Sequence, residues 1–134
     1  MALGRDEGFG ESVPSVKSPD NVGARTFSME GDSVQVKTLD EFWSGRFGGD
    51  RVDLLKIDVE GMEPDVIAGG LETIGLYRPL IFIEINHDCL ESHGYKWHHV
   101  IDPLTRMGYT VKWLGEGHSF QADKWPQLDV LMVP

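Results

Sequence analysis

Two apolar segments of the chain end in residues that could do chemistry. The first runs into Asp58-Val59-Glu60-Gly61, and the second runs into Glu84-Ile85-Asn86-His87-Asp88. Carboxylate and imidazole groups can take a proton from a substrate hydroxyl when they lie within hydrogen-bond reach of it. A carboxylate at the end of an apolar strand costs free energy unless it has partners, which makes function one explanation for Asp58 and Glu84. The other explanation is structural, because either side chain could cap the turn or helix that follows it.

The segments that carry these residues have the pattern of neighbouring parallel strands. Residues 52–59 are mostly β-branched and aliphatic, which is typical of a central strand in a parallel sheet. Residues 80–85 are the most apolar stretch of the chain and predict the buried middle of the sheet. Between them, one helix with Pro64 in its first turn and Gly75 at its end has the size of a crossover connection. The pattern therefore predicts a βαβ unit over 52–85.

This arrangement would bring the candidate residues together. If the two strands are neighbours, about 4.8 Å apart, their carboxyl ends place Asp58 and Glu84 side by side at one edge of the sheet. Strand alternation predicts that Glu60 points to the same side as Asp58, and Gly61 permits a tight turn after it. The sequence therefore predicts an acidic crevice at the ends of two parallel strands.

The N-terminal part of the chain has a weaker pattern. Residues 1–32 are punctuated by Gly, Pro, Ser and Asp and are expected to be largely irregular. Residues 34–37 alternate between apolar and polar, which indicates a half-exposed strand. A capping-box spacing at 38–41 then predicts a short helix that carries its aromatic residues, Phe42 and Trp43, into the core.

The C-terminal part predicts the remaining elements. Apolar residues recur at helical spacing from Trp97 to Met107, and this second helix must be kinked or divided at Pro103. Residues 109–113 and 128–133 are typical of two further strands, which we expect to pair in antiparallel fashion. Together with the βαβ unit, these elements predict an α/β fold.

The composition predicts one acidic domain. Of the 134 residues, 40% are apolar, which is enough for one ordinary core. Twelve Lys and Arg stand against 22 Asp and Glu, and the formal charge of −10 would repel nucleic acid and anionic membranes. No stretch approaches the roughly 18 apolar residues needed to span a bilayer, and the N-terminus has no apolar secretory segment. We therefore expect a cytoplasmic protein.

Other residues with chemical potential have weaker patterns. The single cysteine, Cys89, lies near several histidines and could be a nucleophile, although a lone buried thiol is the commoner case. Gly8 and Gly10 resemble part of a dinucleotide loop, but no strand precedes them and Pro14 stands where a helix is required. The remaining candidates match no metal-binding spacing, so no metal is expected. These candidates are His87, Asp88, His93, His98 and His99.

Three linked motifs resemble the FkbM family of S-adenosylmethionine-dependent methyltransferases. They are VKTLDEF at 36–42, VDLLKIDVEGMEPDVIAGG at 52–70 and RPLIFIEIN at 78–86. MALGRDEG at the start of the chain is similar to a strand end that stands a little earlier in that family. The resemblance covers essentially the whole chain and is weakest over 88–127.

The resemblance implies a fold and a cofactor. Members of the family resemble class I methyltransferases, which have a seven-stranded, doubly wound, Rossmann-like sheet. The chain would then be a single domain over 1–134 that corresponds to the C-terminal part of this fold, with parallel strands, crossover helices and an antiparallel C-terminal strand pair. The glycine-rich cofactor loop lies upstream of the match, so only half of the S-adenosylmethionine site is expected. Ala2 and Leu3 would lie near the adenine, and Asp58 near the sulfonium and the substrate.

The resemblance also implies a reaction. It suggests methyl transfer to a hydroxyl of a sugar or a secondary metabolite, by in-line attack on the sulfonium methyl group. A carboxylate would take the hydroxyl proton, and its position ranks Asp58 first, Glu84 second and Glu60 third. Asn86 or His87 would orient the acceptor.

Two other hypotheses stay open at the level of the sequence. The chain could be a non-catalytic α/β scaffold or subunit that keeps the methyltransferase fold, because a fold does not guarantee an activity. Under either interpretation, a sheet without the family's first strands would leave one edge of the strand at 52–59 unpaired, which would favour a homodimer or a partner chain. The third hypothesis is a carboxylate-based magnesium phosphohydrolase built on Asp58, Glu60 and Glu84, and it lacks a recognisable nucleophile or phosphate loop.

Overall fold

The computed structural model describes residues 1–14, 25–28, 33–114 and 127–134. Over these residues the predicted α/β class is confirmed, with two four-stranded sheets and five helices. The strands are β1 Ala2–Leu3, β2 Gly8–Pro14, β3 Arg25–Ser28, β4 Val34–Lys37, β5 Leu54–Ile57, β6 Leu80–Asn86, β7 Thr110–Leu114 and β8 Gln127–Val133. The helices are α1 Leu39–Phe47, α2 Glu63–Ala68, α3 Leu71–Tyr77, α4 His87–Ser92 and α5 Trp97–Arg106. None of the helices in these segments is long and apolar enough to cross a membrane.

The second sheet contains both strands that carry the candidate residues. Its order is β5-β6-β8-β7, and β5 runs parallel to β6 with Ile57 opposite Ile83, as predicted. β6 pairs on both sides and buries Ile81, Ile83 and Ile85 completely, which confirms it as the middle of the sheet. The position of β5 agrees with the unpaired edge expected at 52–59 and not with the central position that its apolar pattern predicts. β5 is only four residues long and forms an edge of the sheet in the described part of the chain, with Leu54 62% exposed.

The main core lies between one face of this sheet and the helices. Alternate residues of β6 and β8 pack against side chains from α2 to α5, and all of these core residues are buried. The helical members are Val66, Ile67, Ile74, Leu90, Val100, Ile101 and Leu104. The intervening residues of β6, which include Phe82 and Glu84, face away from this core and are half-buried or exposed. The strand thus separates an apolar side from a side on which charged groups can lie.

The crossover between β5 and β6 contains two short helices, where the sequence predicted one that ended at Gly75. The break falls at Gly69 and Gly70, and α3 continues through Gly75 to Tyr77. A side chain on Gly69 would overlap the backbone carbonyl of Gly4, and one on Gly70 would overlap Leu39. The glycines therefore permit a close approach, as predicted, although that approach is to the β1 end and α1.

The first sheet corrects the prediction that residues 1–32 are largely irregular. Its order is β1-β4-β2-β3, with β1 parallel to β4 and β2 antiparallel to both of its neighbours. Three of its strands come from this segment, because ladder hydrogen bonds outweigh the low strand propensity of a glycine-rich sequence. Residues 15–24 and 29–32 lie outside the described part of the chain.

Helix α1 begins with the predicted capping box. Thr38 Oγ1 accepts a hydrogen bond from the Glu41 N–H at 3.1 Å, and the Glu41 carboxylate accepts one from the Thr38 N–H. Phe42 and Trp43 are only half-buried, where the sequence predicted core positions. Trp43 lies against Phe47 with a centroid distance of 4.4 Å and donates its indole N–H to the carbonyl of Asp50.

A second carboxylate of α1 caps a different helix. The two carboxylate oxygens of Asp40 accept hydrogen bonds from the backbone N–H groups of Glu72 at 3.2 Å and Thr73 at 2.7 Å, in the first turn of α3. In return, the Asp40 N–H donates to the Gly69 carbonyl at 2.9 Å. Asp40 thus satisfies donors that α3 leaves open, since its own N-cap residue, Gly70, has no side chain.

The Asp40→Ala variant is expected to lower the free energy of unfolding by about 1–2 kcal/mol, the usual cost of removing a capping side chain. Urea denaturation followed by circular dichroism measures this difference. Asp50→Ala is the control. It removes an exposed carboxylate just after the end of α1 and should change the free energy of unfolding by less than about 0.5 kcal/mol. Equal values for the two variants would contradict the capping role.

The C-terminal elements largely follow the sequence pattern. α5 is one helix that includes Pro103, and β7 and β8 form the predicted antiparallel pair, with β8 inserted between β6 and β7. α4 is an element that the sequence analysis did not predict. Asn86 caps it by accepting from the Cys89 N–H at 3.2 Å, so the chain becomes helical at His87 instead of continuing as a strand.

Candidate active site

Asp58 and Glu84 follow corresponding positions of two paired strands. Ile57 of β5 lies opposite Ile83 of β6 in a parallel register, so the next residue of each chain segment is one of the two carboxylates. Both point away from the main core, since the alternate positions, Ile57, Ile83 and Ile85, are buried in it. The central structural expectation for this site, two acidic groups at the same end of neighbouring parallel strands, agrees with this register.

Two further charged residues lie beside these carboxylates. Lys56 Nζ is 2.9 Å from Asp58 Oδ2, and Asp129 of β8 lies directly across the ladder from Glu84. We call Lys56, Asp58, Glu84 and Asp129 the acidic cluster. Sequence reasoning did not select Lys56 or Asp129. Asp129 could have been noticed as an acidic residue inside an otherwise apolar C-terminal strand. Its position beside Glu84, however, depends on a strand pairing that the sequence alone does not give.

Two residues of the acidic cluster, Glu84 and Lys56, have shifted pKa values. The pKa of Glu84 is raised, first by partial removal from water and then by the negative charges of Asp58, Asp129 and Glu60. The pKa of Lys56 is also raised, mainly by its hydrogen bond to Asp58. Glu84 is therefore the member of the cluster that takes up a proton more readily than an ordinary glutamate.

Glu60 lies beyond the end of β5, where strand alternation does not set the direction of its side chain. β5 ends at Ile57, and Glu60 adopts a left-handed backbone conformation with φ of 52°. Its carboxylate accepts a hydrogen bond from the thiol of Cys89 in α4, at 3.2 Å. Partial burial and this carboxylate raise the pKa of the Cys89 thiol to about 12. The contact favours the interpretation of Cys89 as a protonated, packed thiol over that of a nucleophile.

Gly61 forms the tight turn that the sequence predicts, with φ of 102°. A side chain at this position would overlap the carbonyl group of Cys89 and also meet the ring of His93. The Gly61 N–H donates to Glu63 Oε1 at 3.1 Å, which fixes the turn from the other side. The turn that joins β5 to α2 is therefore fixed in one conformation, packed against α4.

The Gly61→Ala variant is expected to lose about 2–3 kcal/mol of stability, from left-handed strain together with overlap against a backbone carbonyl. Gly45→Ala is the matched control, because Gly45 lies in α1 with no atom near its missing side chain. That change should stabilise the protein by up to about 1 kcal/mol through helix propensity. Urea unfolding of both variants tests the contrast in sign, and a stabilising Gly61→Ala would contradict the described turn.

Glu63 is a buried carboxylate at the start of α2 and is only 1% exposed. Oε1 accepts the Gly61 N–H, while Oε2 has no hydrogen-bond partner among the described residues. Burial is the main cause of a raised pKa, and hydrogen bonds from backbone N–H groups oppose it. Glu63 thus holds a proton more tightly in the folded state than in the unfolded state.

Stability should therefore fall as the pH rises from the ordinary glutamate pKa through the folded pKa of Glu63, because the folded state retains a proton that the unfolded state releases. Glu63→Gln cannot titrate, so its stability relative to the wild type is expected to rise over the same interval. Urea unfolding at several pH values measures this difference. Glu91→Gln, at an exposed position of α4, supplies the baseline, and a Glu63→Gln difference that stays flat with pH would contradict the expectation.

The two residues proposed to orient an acceptor lie at the junction of β6 and α4. Asn86 uses its carbonyl oxygen to cap α4, which leaves its amide N–H₂ group for another acceptor. His87 borders a cavity of about 100 Å³ together with Glu91, Lys96 and Trp97. Its buried Nε2 atom has no hydrogen-bond partner within the described segments. His87 is thus a ring with an open polar atom beside a small cavity.

Ala2 and Leu3, which the resemblance places near an adenine, form β1 of the first sheet. They pair with Val36 and Lys37 of β4, and the following Gly4 N–H donates to the Lys37 carbonyl at 2.9 Å. Leu3 also packs against the edge of the main core. A cofactor-binding role for β1 stays a prediction. Within the residues that the structure describes, no group of three or more His, Cys, Asp or Glu side chains is arranged to hold a metal ion.

Comparison with known proteins adds a family match. The profile of the methyltransferase FkbM domain matches residues 2–111 of the chain. The 2-O-methyltransferase NoeI of Sinorhizobium fredii (strain NBRC 101917 / NGR234) is 48% identical over 42 residues. This match spans 31% of the chain and 17% of the length of that relative. No solved structure matches the chain.

Proposed function

Since the chain belongs to the family of methyltransferase FkbM domains, we propose that it carries the acidic, acceptor-side half of an S-adenosylmethionine-dependent O-methyltransferase. The acceptor is a hydroxyl of a sugar or a secondary metabolite. The observation that carries this proposal is the paired register that sets Asp58 beside Glu84, together with the raised pKa of Glu84. The two sheets would belong to a class I, Rossmann-like arrangement.

The charge of the acidic cluster suits this cofactor. Three carboxylates, those of Asp58, Glu84 and Asp129, surround a single cation, Lys56, so the cluster favours a positively charged group such as a sulfonium. When bound, S-adenosylmethionine supplies the methyl group. Ala2 and Leu3 would contact its adenine, so that the described residues provide half of the binding site.

Glu84 is the strongest candidate for the residue that takes the hydroxyl proton. A general base works best when its pKa lies near the working pH, and burial and like charges move Glu84 in that direction. Asp58 is held by Lys56 and would orient the hydroxyl, while the carboxylate of Glu60 is engaged by Cys89. This order replaces the ranking by position alone, in which Asp58 came first.

Asn86 and His87, at the start of α4, would orient the acceptor. The amide N–H₂ group of Asn86 and the Nε2 atom of His87, which has no hydrogen-bond partner among the described residues, are polar groups that directly follow Glu84 and Ile85 of β6. Both can hydrogen-bond to hydroxyl groups of a sugar. The similarity to a 2-O-methyltransferase supports a hydroxyl on a ring as the acceptor class.

Calorimetric titration of the chain with S-adenosylmethionine tests the proposal. We expect weak but measurable binding, in the high-micromolar range, that Asp58→Ala reduces at least tenfold through loss of charge complementarity. Transfer of a labelled methyl group to sugars with a free 2-hydroxyl, and not to their 2-deoxy counterparts, would identify the acceptor. The absence of heat at millimolar cofactor would contradict cofactor binding by this chain.

A non-catalytic subunit is the second candidate, and the edge position of β5 favours it. β5 has no described neighbour on one side, and its Leu54 side chain is 62% exposed, so another strand could pair there. A homodimer or a partner chain would cover this edge. Light scattering at increasing concentration tests self-association, and Leu54→Lys should weaken it. A monomer at all concentrations would leave a partner chain as the remaining form of this candidate.

A further inference from the structure

A cavity of about 250 Å³ lies between α2 and α5 and shares no residue with the acidic cluster. Its apolar lining includes Pro64 and Leu71, and its polar lining includes Arg5, His98, His99 and Arg106. This volume is slightly below the range of about 300–1,000 Å³ usual for sites of drug-sized ligands, which suits one small ring with a substituent. We call it the α2–α5 pocket.

The polar groups of this pocket are mainly hydrogen-bond donors. Arg5 Nε is 3.2 Å from Asp65 Oδ1, which also accepts from the Tyr95 hydroxyl at 2.8 Å, and this contact holds the guanidinium at the pocket. The Arg5 side chain remains 55% exposed, so its guanidinium is accessible from the pocket. The Lys96 N–H donates to His99 Nδ1 at 2.9 Å, so the neutral His99 ring carries its own proton on Nε2.

Arg106 is the most available cation of the pocket. Its guanidinium is 78% exposed and lies 4.0 Å from Asp102 Oδ2, at the limit of an ion pair. An exposed pair of this length contributes little free energy, so an incoming anion can replace the carboxylate of Asp102. Arg5 and Arg106 thus both line this pocket, although the chain has a formal charge of −10.

We propose that the α2–α5 pocket binds a small organic anion, with a phosphate or carboxylate group held by Arg5 and Arg106 on a ring that packs against Pro64 and Leu71. Guanidinium groups recognise such anions through paired N–H donors, and the apolar wall supplies the contact for the ring. Asp102 is the internal competitor for Arg106. This site is independent of the proposed methyl transfer.

Two-dimensional NMR titration of the ¹⁵N-labelled chain with phenyl phosphate tests the site. The amide signals of Ala68, Tyr95 and His99 should shift together, with saturation in the millimolar range or below. Inorganic phosphate should bind about tenfold more weakly because it lacks the ring, and phenol should give no saturable shift. Equal affinity for phosphate and phenyl phosphate would overturn the proposed ring contact.

Two variants with opposite expected effects on affinity test where the anion binds. Arg106→Gln should weaken phenyl phosphate binding about tenfold, whereas Asp102→Asn should strengthen it about threefold by removing the competing carboxylate. Arg46→Gln, an equal change of charge at an exposed position of α1, should leave the affinity unchanged. Thermal unfolding verifies that each variant is folded. Equal effects of Arg106→Gln and Arg46→Gln, or no shift at all with folded wild-type protein, would overturn the proposal.

Discussion

Glu84→Gln is expected to lower the rate of methyl transfer by about 10²–10⁴-fold, the range over which a positioned general base accelerates a reaction. The glutamine keeps the size of the side chain and loses the ability to take a proton. In the wild type, the rate should rise with pH through the raised pKa of Glu84 and then level off, since only the ionised carboxylate accepts the proton. A pH–rate profile of both proteins at saturating substrate measures the effect.

Asp129→Asn is the matched variant for this prediction. Asp129 faces Glu84 across the ladder, and its negative charge helps to raise the pKa of Glu84. Its removal should shift the rising limb of the profile to lower pH and leave the plateau nearly unchanged. A purely structural role for Glu84 would give no such shift. A Glu84→Gln protein with an unchanged rate would show that another group takes the proton.

Cys89 is expected to react with iodoacetamide about a thousandfold more slowly than a free thiol at pH 8. The reactive species is the thiolate, and a thiol pKa of about 12, against an ordinary value of 9.0, reduces its population by about that factor. Partial burial is the largest cause, and the hydrogen bond that the thiol donates to the Glu60 carboxylate is the next. Mass spectrometry of the alkylated protein over time, with glutathione as reference, gives the ratio.

Glu60→Gln should accelerate this alkylation, because it removes the negative charge that opposes the thiolate. Asp88→Asn, a carboxylate next to Cys89 in the sequence, should have the smaller effect, since its contribution to the pKa of Cys89 is the last of the causes. A wild-type rate near that of glutathione would contradict the buried, protonated state. It would also return the nucleophile hypothesis to consideration.

The fold was predictable where local pattern and burial agree. β6 is an unbroken apolar run and is buried in the middle of its sheet, and the capping box at Thr38 and Glu41 starts α1 as predicted. The prediction was wrong where non-local contacts decide. β2 forms in a glycine-rich segment because β3 and β4 pair with it, and the crossover helix divides at Gly69 because that residue meets Gly4.

In the candidate site, too, features set by local sequence pattern could be predicted and features set by non-local contacts could not. The neighbouring positions of Asp58 and Glu84 could be predicted, because parallel strands bring their carboxyl ends to one edge. Asp129 could not, because its place beside Glu84 depends on the insertion of β8 between β6 and β7. Strand alternation is also not a guide to the direction of Glu60, because β5 ends three residues before it and the Glu60 backbone is left-handed.

The contact of Asp40 with α3 links parts of the chain that lie more than thirty positions apart, with Thr73 33 residues from Asp40. If α1 unfolded, the first backbone N–H groups of α3 would lose their hydrogen-bond acceptor. If α3 unfolded, the half-buried carboxylate of Asp40 would lose its hydrogen-bond donors. The two helices should therefore open as one cooperative unit, and hydrogen exchange at the Thr73 amide would report the integrity of α1.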